Sequence, residues 1–289
     1  MTRSTTSRTP SRPLFSFCVF ALTCLICTPG RSEDKPADDS DKAADAEASK
    51  ERLAYMLNAL GEYRVEVKTD EGLEPAELIR TPALRWTNTV SGTKDGIVGV
   101  WTRGGRPDVV VQFSSPGSIW IHEFCSTSTE PLTMQRNGRV VWSPASAGVE
   151  LKSIPKAPAP ADSAVKRLTQ MRKLAERFEV VDDFHPVYAD PKTERHTLRL
   201  LPKPLYRYEA KDDLIDGALF GLVITTDPEA LLMIEAYKTA KGTEWRFALA
   251  RMTVYALTGS LDGLQVWSEP EKRAEKWRPD EPYFVGLHR

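Results

Sequence analysis

Apolar residues at Leu53, Met56, Leu57 and Leu60 recur at spacings of three and four and draw one stripe along a helix. A second stripe of the same period runs through Leu168, Met171, Leu174 and Phe178. Elsewhere the apolar residues fall into short segments rich in β-branched and aromatic side chains and bounded by turn residues. These predict strands over 84–90, 97–102, 109–113, 119–125, 132–136 and 139–142. A second set is predicted over 197–201, 205–208, 219–225, 230–236, 245–250 and 253–258. Asn137-Gly138 suits a two-residue turn with positive φ at both positions, so the last two strands of the first set form a hairpin. Asp262-Gly263 occupies the equivalent place in the second set. The unbroken apolar runs at 218–225 and 230–236 predict strands buried on both faces or at a contact between the two sets.

The two sets share an ordered signature. Asp95-Gly96, Pro107-Asp108, Trp120 and Val141-Trp142-Ser143 answer to Asp216-Gly217, Pro228-Glu229, Trp245 and Val266-Trp267-Ser268. From Asp to Pro the interval is 12 in both, and between the two tryptophans it is 22 in both. Only the Pro-to-Trp interval differs, 13 against 17, which implies a longer hairpin loop in the second copy. The helices align at a constant offset of 115, with Arg52-Leu53, Met56, Tyr63 and Val65 matching Arg167-Leu168, Met171, Phe178 and Val180. The expected fold class is therefore α+β, an internal duplication of a helix followed by an antiparallel β meander, packed as a pseudo-dimer. The Pro/Ala-rich stretch 154–161 predicts an extended linker. It separates a first repeat over 51–153 from a second over 162–289.

The N-terminal residues change the picture of where the protein works. Arg3, Arg8 and Arg12 precede an apolar run at 14–28 that is short for a membrane span, and small or turn residues follow through Gly30 and Ser32. Residues 1–32 read as a secretory signal peptide, and 33–50, rich in Asp, Ala, Ser and Lys, as a disordered tether. An exported, periplasmic or secreted protein with no transmembrane segment after cleavage is expected. Cys18, Cys24 and Cys27 would leave with the signal, so Cys125 remains alone and no internal disulfide can form. The whole chain carries a formal charge of −1, and loss of Arg3, Arg8, Arg12 and Arg31 takes it to −1 − 4 = −5. A mildly acidic exported protein has no electrostatic footprint for nucleic acid.

Candidate chemistry is sparse. The chain has no phosphate-binding glycine loop, no Gly-x-Ser-x-Gly elbow, no His-Glu-x-x-His and no paired Cys-x-x-Cys, and no cofactor is expected. His122 aligns with Phe247, so an imidazole stands in an apolar row, either gripping a ligand or satisfied locally as a core histidine. Trp101 faces Leu222 or Val223 in the alignment and is the tryptophan freest to contact a ligand; Trp120, Trp142, Trp245 and Trp267 recur in both copies and read as core. Asp182, Asp183, His185, Asp190, Glu194 and His196 form an acid-and-imidazole segment. Asp182, Asp183, His185 and His196 are its candidate metal ligands, against the plainer reading of a solvated connection.

Asp216-Gly217-Ala218-Leu219-Phe220, Thr226-Asp227-Pro228-Glu229, Leu231-Leu232-Met233-Ile234-Glu235, His122-Glu123-Phe124 and Val141-Trp142-Ser143-Pro144 together resemble a family of exported proteins of unknown function from planctomycete-type bacteria. The resemblance spans the chain from the first helix to Trp267 and implies no activity or catalytic residue. The leading expectation is a non-enzymatic exported binding or structural protein whose partner is a protein or a small hydrophobic ligand. A helix on a curved antiparallel sheet is also similar to periplasmic lipoprotein carriers, which makes a carrier of hydrophobic ligands the alternative. An enzyme using His122 is the third reading. These predict, in turn, a sheet face sealed by its helix, an apolar cavity, and a cleft in which His122 or the acidic segment meets a second titratable group.

Overall fold

Helix α1 (Asp39–Gly61) leads into β1 (Tyr63–Thr69), β2 (Gly72–Leu78), β3 (Leu84–Asn88), β4 (Thr93–Arg103) and β5 (Arg106–Ser114). Then come β6 (Trp120–Ser126), β7 (Leu132–Arg136), β8 (Arg139–Trp142) and β9 (Lys152–Ser153). Helix α2 (Ala164–Ala175) precedes β10 (Phe178–Phe184), β11 (Glu194–Thr197), β12 (Arg199–Leu200), β13 (Tyr206–Tyr208) and β14 (Leu214–Ile224). The chain continues as β15 (Asp227–Thr239), β16 (Gly242–Arg251), β17 (Ala256–Leu261), β18 (Leu264–Glu269) and β19 (Tyr283–His288). The structure, a computed structural model, describes residues 39–115, 119–184, 194–209 and 212–288. The expected signal peptide at 1–32 lies outside the described residues. From Ala43 onward the chain is one compact unit.

The expected α+β pseudo-dimer is corrected. The protein is mostly antiparallel β, 54% strand against 15% helix, and its main body is a nearly closed, barrel-like sheet. Several strands escaped the sequence reading for local reasons. Tyr63 and Phe178 continue the helical period on paper, yet each opens a strand in which alternate residues are buried. Turning the chain at once into a strand lets Tyr63, Val65 and Val67 fill the inside of the sheet. β2 and β11 are short on apolar residues, and β19 lies beyond the duplicated signature. Helix α1 also starts earlier than the expected tether allows, because the alanines at 43, 44, 46 and 48 favour helix even where no apolar face is buried.

Nine strands form the first sheet, in the order β19-β6-β5-β4-β2-β1-β7-β8 with β3 against β4. Its ends approach each other: the Trp142 indole N–H donates to the Glu281 carbonyl at 2.7 Å and the Ser143 N–H to the Pro279 carbonyl at 2.6 Å. Met56, Ala59 and Leu60 of α1 fill the inside with Val65, Ile97, Trp101, Val111, Phe113, Phe124, Met134 and Trp142. In the second half no strand among the described residues bridges the corresponding gap. The strands split into a four-stranded sheet, β11-β10-β17-β18, and a six-stranded sheet, β12-β14-β15-β16-β9 with β13 on β14. Helix α2 and the inner face of β14 and β15 share a separate core that includes Met171, Leu174, Phe220, Leu232 and Ile234.

The chain crosses over its own midpoint. β9 pairs with β16, and β19 returns to pair with β6. Ile154 and Ala157 of the expected linker pack on the second core, so this stretch is docked rather than free.

What recurs between the halves is a local device. Each repeated Asp-Gly sits within a strand. Asp95 accepts from Arg52 Nε at 2.7 Å and from Arg85 Nη2 at 2.6 Å, tying α1 to β3 and β4. Asp216 accepts from Arg167 Nε and Arg207 Nη2, each at 2.8 Å, tying α2 to β13 and β14. The glycine that follows leaves room for an aromatic ring: a Cβ on Gly96 would overlap Trp86, and one on Gly217 would overlap Tyr208.

Removing a carboxylate that compensates buried guanidinium groups leaves those charges unpaired, at about 3–5 kcal/mol. Asp216 is 0% exposed while Arg85, at Asp95, is 41% exposed and hydrates easily. Asp216→Ala is therefore expected to lose about 3–5 kcal/mol of unfolding free energy in urea denaturation and Asp95→Ala clearly less; equal losses would contradict this account.

Candidate functional site

Strands β4 and β5 of the first sheet and β14 and β15 of the second half pack face to face. Along β15 the odd-numbered residues Asp227, Glu229, Leu231, Met233 and Glu235 share one face, because side chains alternate along a strand. Leu231 and Met233 form the apolar middle of the contact with Leu219, Val98, Val110 and Cys125. The acids fall at its two ends.

At one end the Glu235 carboxylate is well matched with donors. Glu235 accepts from Arg106 Nε at 2.9 Å, from the Tyr208 hydroxyl at 2.6 Å and from the Tyr237 hydroxyl at 2.8 Å. Asp108 lies 3.4 Å from Arg103, and burial nonetheless pushes its carboxyl up.

The other end is the candidate site. Gln112 on β5 stands opposite Glu123 on β6, and its amide Nε2 donates to Asp227 at 2.7 Å and to Glu123 at 3.3 Å. Asn88 donates to Asp227 at 2.9 Å, and the Tyr283 hydroxyl donates to Glu123 at 2.6 Å. Glu229 and Asp182 complete a set of four carboxyls. Asp182, Asp227 and Glu229 are buried and Glu123 is half-buried. Neither oxygen of Asp182 has a hydrogen-bond partner, and neither does Oε1 of Gln112. Arg251 is the buried cation beside them. It donates to the carbonyls of Thr253, Pro270 and Tyr255 and reaches Glu269 at 3.4 Å.

Too few charges compensate four acids here, and all four are raised. Burial pushes Glu123 up to about 7 despite the Tyr283 hydrogen bond and Arg251. Burial also pushes Asp182 up to about 7, the Asp183 charge adding to it and Arg251 opposing. Asp227 is raised well above the carboxylate range by burial, with the charges of Glu123 and Asp182 adding and the Asn88 and Gln112 hydrogen bonds opposing. Glu229 is also raised well above its ordinary value, by burial and then by Asp227 and Asp182, with a Thr253 hydrogen bond opposing. A carboxyl titrating near neutrality is suited to general acid–base work only where it reaches a substrate. The two best-formed depressions, of about 440 and 300 Å³, lie elsewhere: Phe178, Thr197 and Leu198 line the first, Pro158, Gln170 and Leu174 the second. No member of the acid set lines either one.

Of the candidate ligand and metal residues named from the sequence, Asp182 alone belongs to this set. It occupies the buried row of β10 with Phe178, Val180 and Phe184, where alternation calls for an apolar residue. That misplaced carboxyl was the legible signal. Asp183 points away and pairs with Arg195 at 3.1 Å, and His196 lies 3.2 Å from Glu194. His185 and Asp190 lie outside the described residues. Among the described residues no three His, Cys, Asp or Glu side chains are placed to hold a metal ion. Trp101 is buried inside the first sheet. Cys125 is buried as well, and burial pushes its thiol up, which makes it inert.

His122 is also inside the first sheet. Its ring stacks on Phe113 at 3.8 Å between centroids, its Nδ1 shares a 2.8 Å hydrogen bond with the Tyr63 hydroxyl, and its Nε2 has no partner. Burial, reinforced by the charges of His288 and Arg136, lowers it to about 2, so the imidazole is neutral.

Comparison with known protein families, with curated proteins and with solved structures finds no match to this chain. No helix among the described residues is long and apolar enough to cross a membrane.

The buried neutral His122 gives stability a defined dependence on acid. Unfolded, the imidazole takes up a proton near pH 6.5; folded, it does not until about pH 2. Stability from this group is complete above pH 6.5 and is lost as pH falls below it, at about tenfold in the unfolding equilibrium per pH unit. His122→Phe is expected to reduce the slope of stability between pH 6 and 4 by about one proton. An unchanged slope in urea titrations at those pH values would count against a neutral buried imidazole.

Proposed function

We propose that this protein is an exported binding or structural protein without catalysis of its own, acting through its outer surface on a protein partner. The observation that carries this reading is the filling of the first sheet: Met56, Ala59 and Leu60 of α1 occupy its inside together with aromatic side chains. A bound molecule there would have to displace the helix. The acid set adds support, since its members line neither of the two best-formed depressions.

A hydrophobic carrier is the second reading. The observation in its favour is the apolar wall that α1 covers, built from Val65, Val67, Ile97, Val109, Val111 and Phe124. Withdrawal of the helix would open it.

Native mass spectrometry of the mature protein purified from its own compartment separates the two. Bare protein, or protein with a second polypeptide, is expected. A lipid or other apolar molecule retained on the protein and released on denaturation would overturn the first reading in favour of the second. An apolar fluorophore titrated at pH 6 gives an independent check, and saturable stoichiometric binding would again favour the carrier.

A further inference from the structure

Hydrogen-bond accounting at the four-carboxyl end of the contact does not close with ionised acids. Asp182 offers two buried oxygens and Gln112 one, all three without a donor. A buried acceptor without a donor is costly, and an ionised one most of all. Protonation removes that charge from Asp182. The half-buried Glu123 leaves the set within reach of solvent protons.

The elements meeting here are not neighbours in any one sheet. Glu123, Gln112 and Tyr283 come from the first sheet, and Asn88 joins them from β3. Asp182 comes from the four-stranded sheet and Asp227 and Glu229 from the six-stranded one. The other charged and titratable groups around them are Asp183 on β10, Arg251 on β16, Tyr255, and Glu269 and Glu271 at the end of β18. Among the described residues, Arg251 is the cation whose charge acts on Glu123 and Asp182, and Glu269 competes for it.

We propose that Glu123, Asp182, Asp227 and Glu229 form a proton-operated latch across the contact between the first sheet and strands β10 and β15. Protonated, the acids carry no mutual repulsion, and the contact stays shut around Gln112, which donates to Asp227 and Glu123 across it. Ionised, they repel one another with too little cation to balance them, and the contact opens to expose Val98, Val110, Leu219, Leu231 and Met233. The sign follows from where the protons sit. Folded, Glu123 and Asp182 titrate at about 7 and Asp227 and Glu229 are raised too, whereas the unfolded acids titrate near the ordinary carboxylate value, so the latch is fully effective at low pH and is lost as pH rises through the folded values. That trend is opposite to the one set by His122.

The test is a titration from pH 5 to 9 of the wild-type protein, Asp182→Asn and Glu229→Gln, with an apolar dye reporting the exposed contact and far-ultraviolet circular dichroism reporting the strands. The opened population of wild type is expected to grow about tenfold per pH unit for each proton released, with strand content retained. Each neutral variant should shift that rise to higher pH or abolish it. Dye binding that stays flat in wild type, rises only as the strands melt, or rises identically in the variants would overturn the latch. Carbon-13 carboxyl titration of wild type needs no substitution: at least two carboxyls titrating above pH 6 are expected, and all of them titrating below pH 5 would overturn the proposal even if both variants failed to fold.

Discussion

Burial of the long hairpins β4–β5 and β14–β15 on both faces is the constraint from which the rest of this structure follows. Each strand turns one row inward, against α1 in the first half and α2 in the second, and the other row toward the opposite hairpin. A helix alone could not cover both rows. Facing hairpins supply the second cover, and this is why a fourteen-residue apolar cluster draws on both halves of the chain.

A contact buried on that scale has to accommodate whatever polar residues its strands carry. At the Glu235 end, Arg106 and two tyrosine hydroxyls meet the carboxylate. At the Asp227 end the donors are two side-chain amides, the Tyr283 hydroxyl and Thr253, while the nearby Arg251 donates elsewhere. The same alternation thus produces a rigid polar joint at one end and a proton-dependent one at the other. Asymmetry of this kind arises because the acids lie at matched positions, Asp108 and Glu229, while their neighbours differ.

The Asp95 and Asp216 clasps show how a recurring sequence pattern can mark an anchor rather than a whole architecture. In each, the acid receives one arginine from the helix and one from the neighbouring strand, and the glycine beside it accepts an aromatic ring. Around these similar anchors the sheets differ. β2 joins β1 to β4 in the first half and brings the sheet nearly to closure; β11 and β12 join no such circuit, and the second half remains two sheets.

Local periodicity determined much on its own: the helical period of α1, the Asn137-Gly138 hairpin, and the strand character of the long apolar runs, since each rests on residues close together in the chain. The strand character of 63–69 and 178–184 was hidden, because a few residues after a helix satisfy both periods and only the sheet they join decides between them. Asp182 was visible as an acid but was grouped with Asp183 and His196 through sequence proximity, whereas alternation sends it to the opposite face and into the company of Glu123, Asp227 and Glu229. Those acids are 59, 45 and 47 residues away along the chain. Protonation depends on the distance between groups and on what has been excluded from around them, and both are properties of the packed sheets. Residue order set the strands; only their assembly decided which charges would be shut in together.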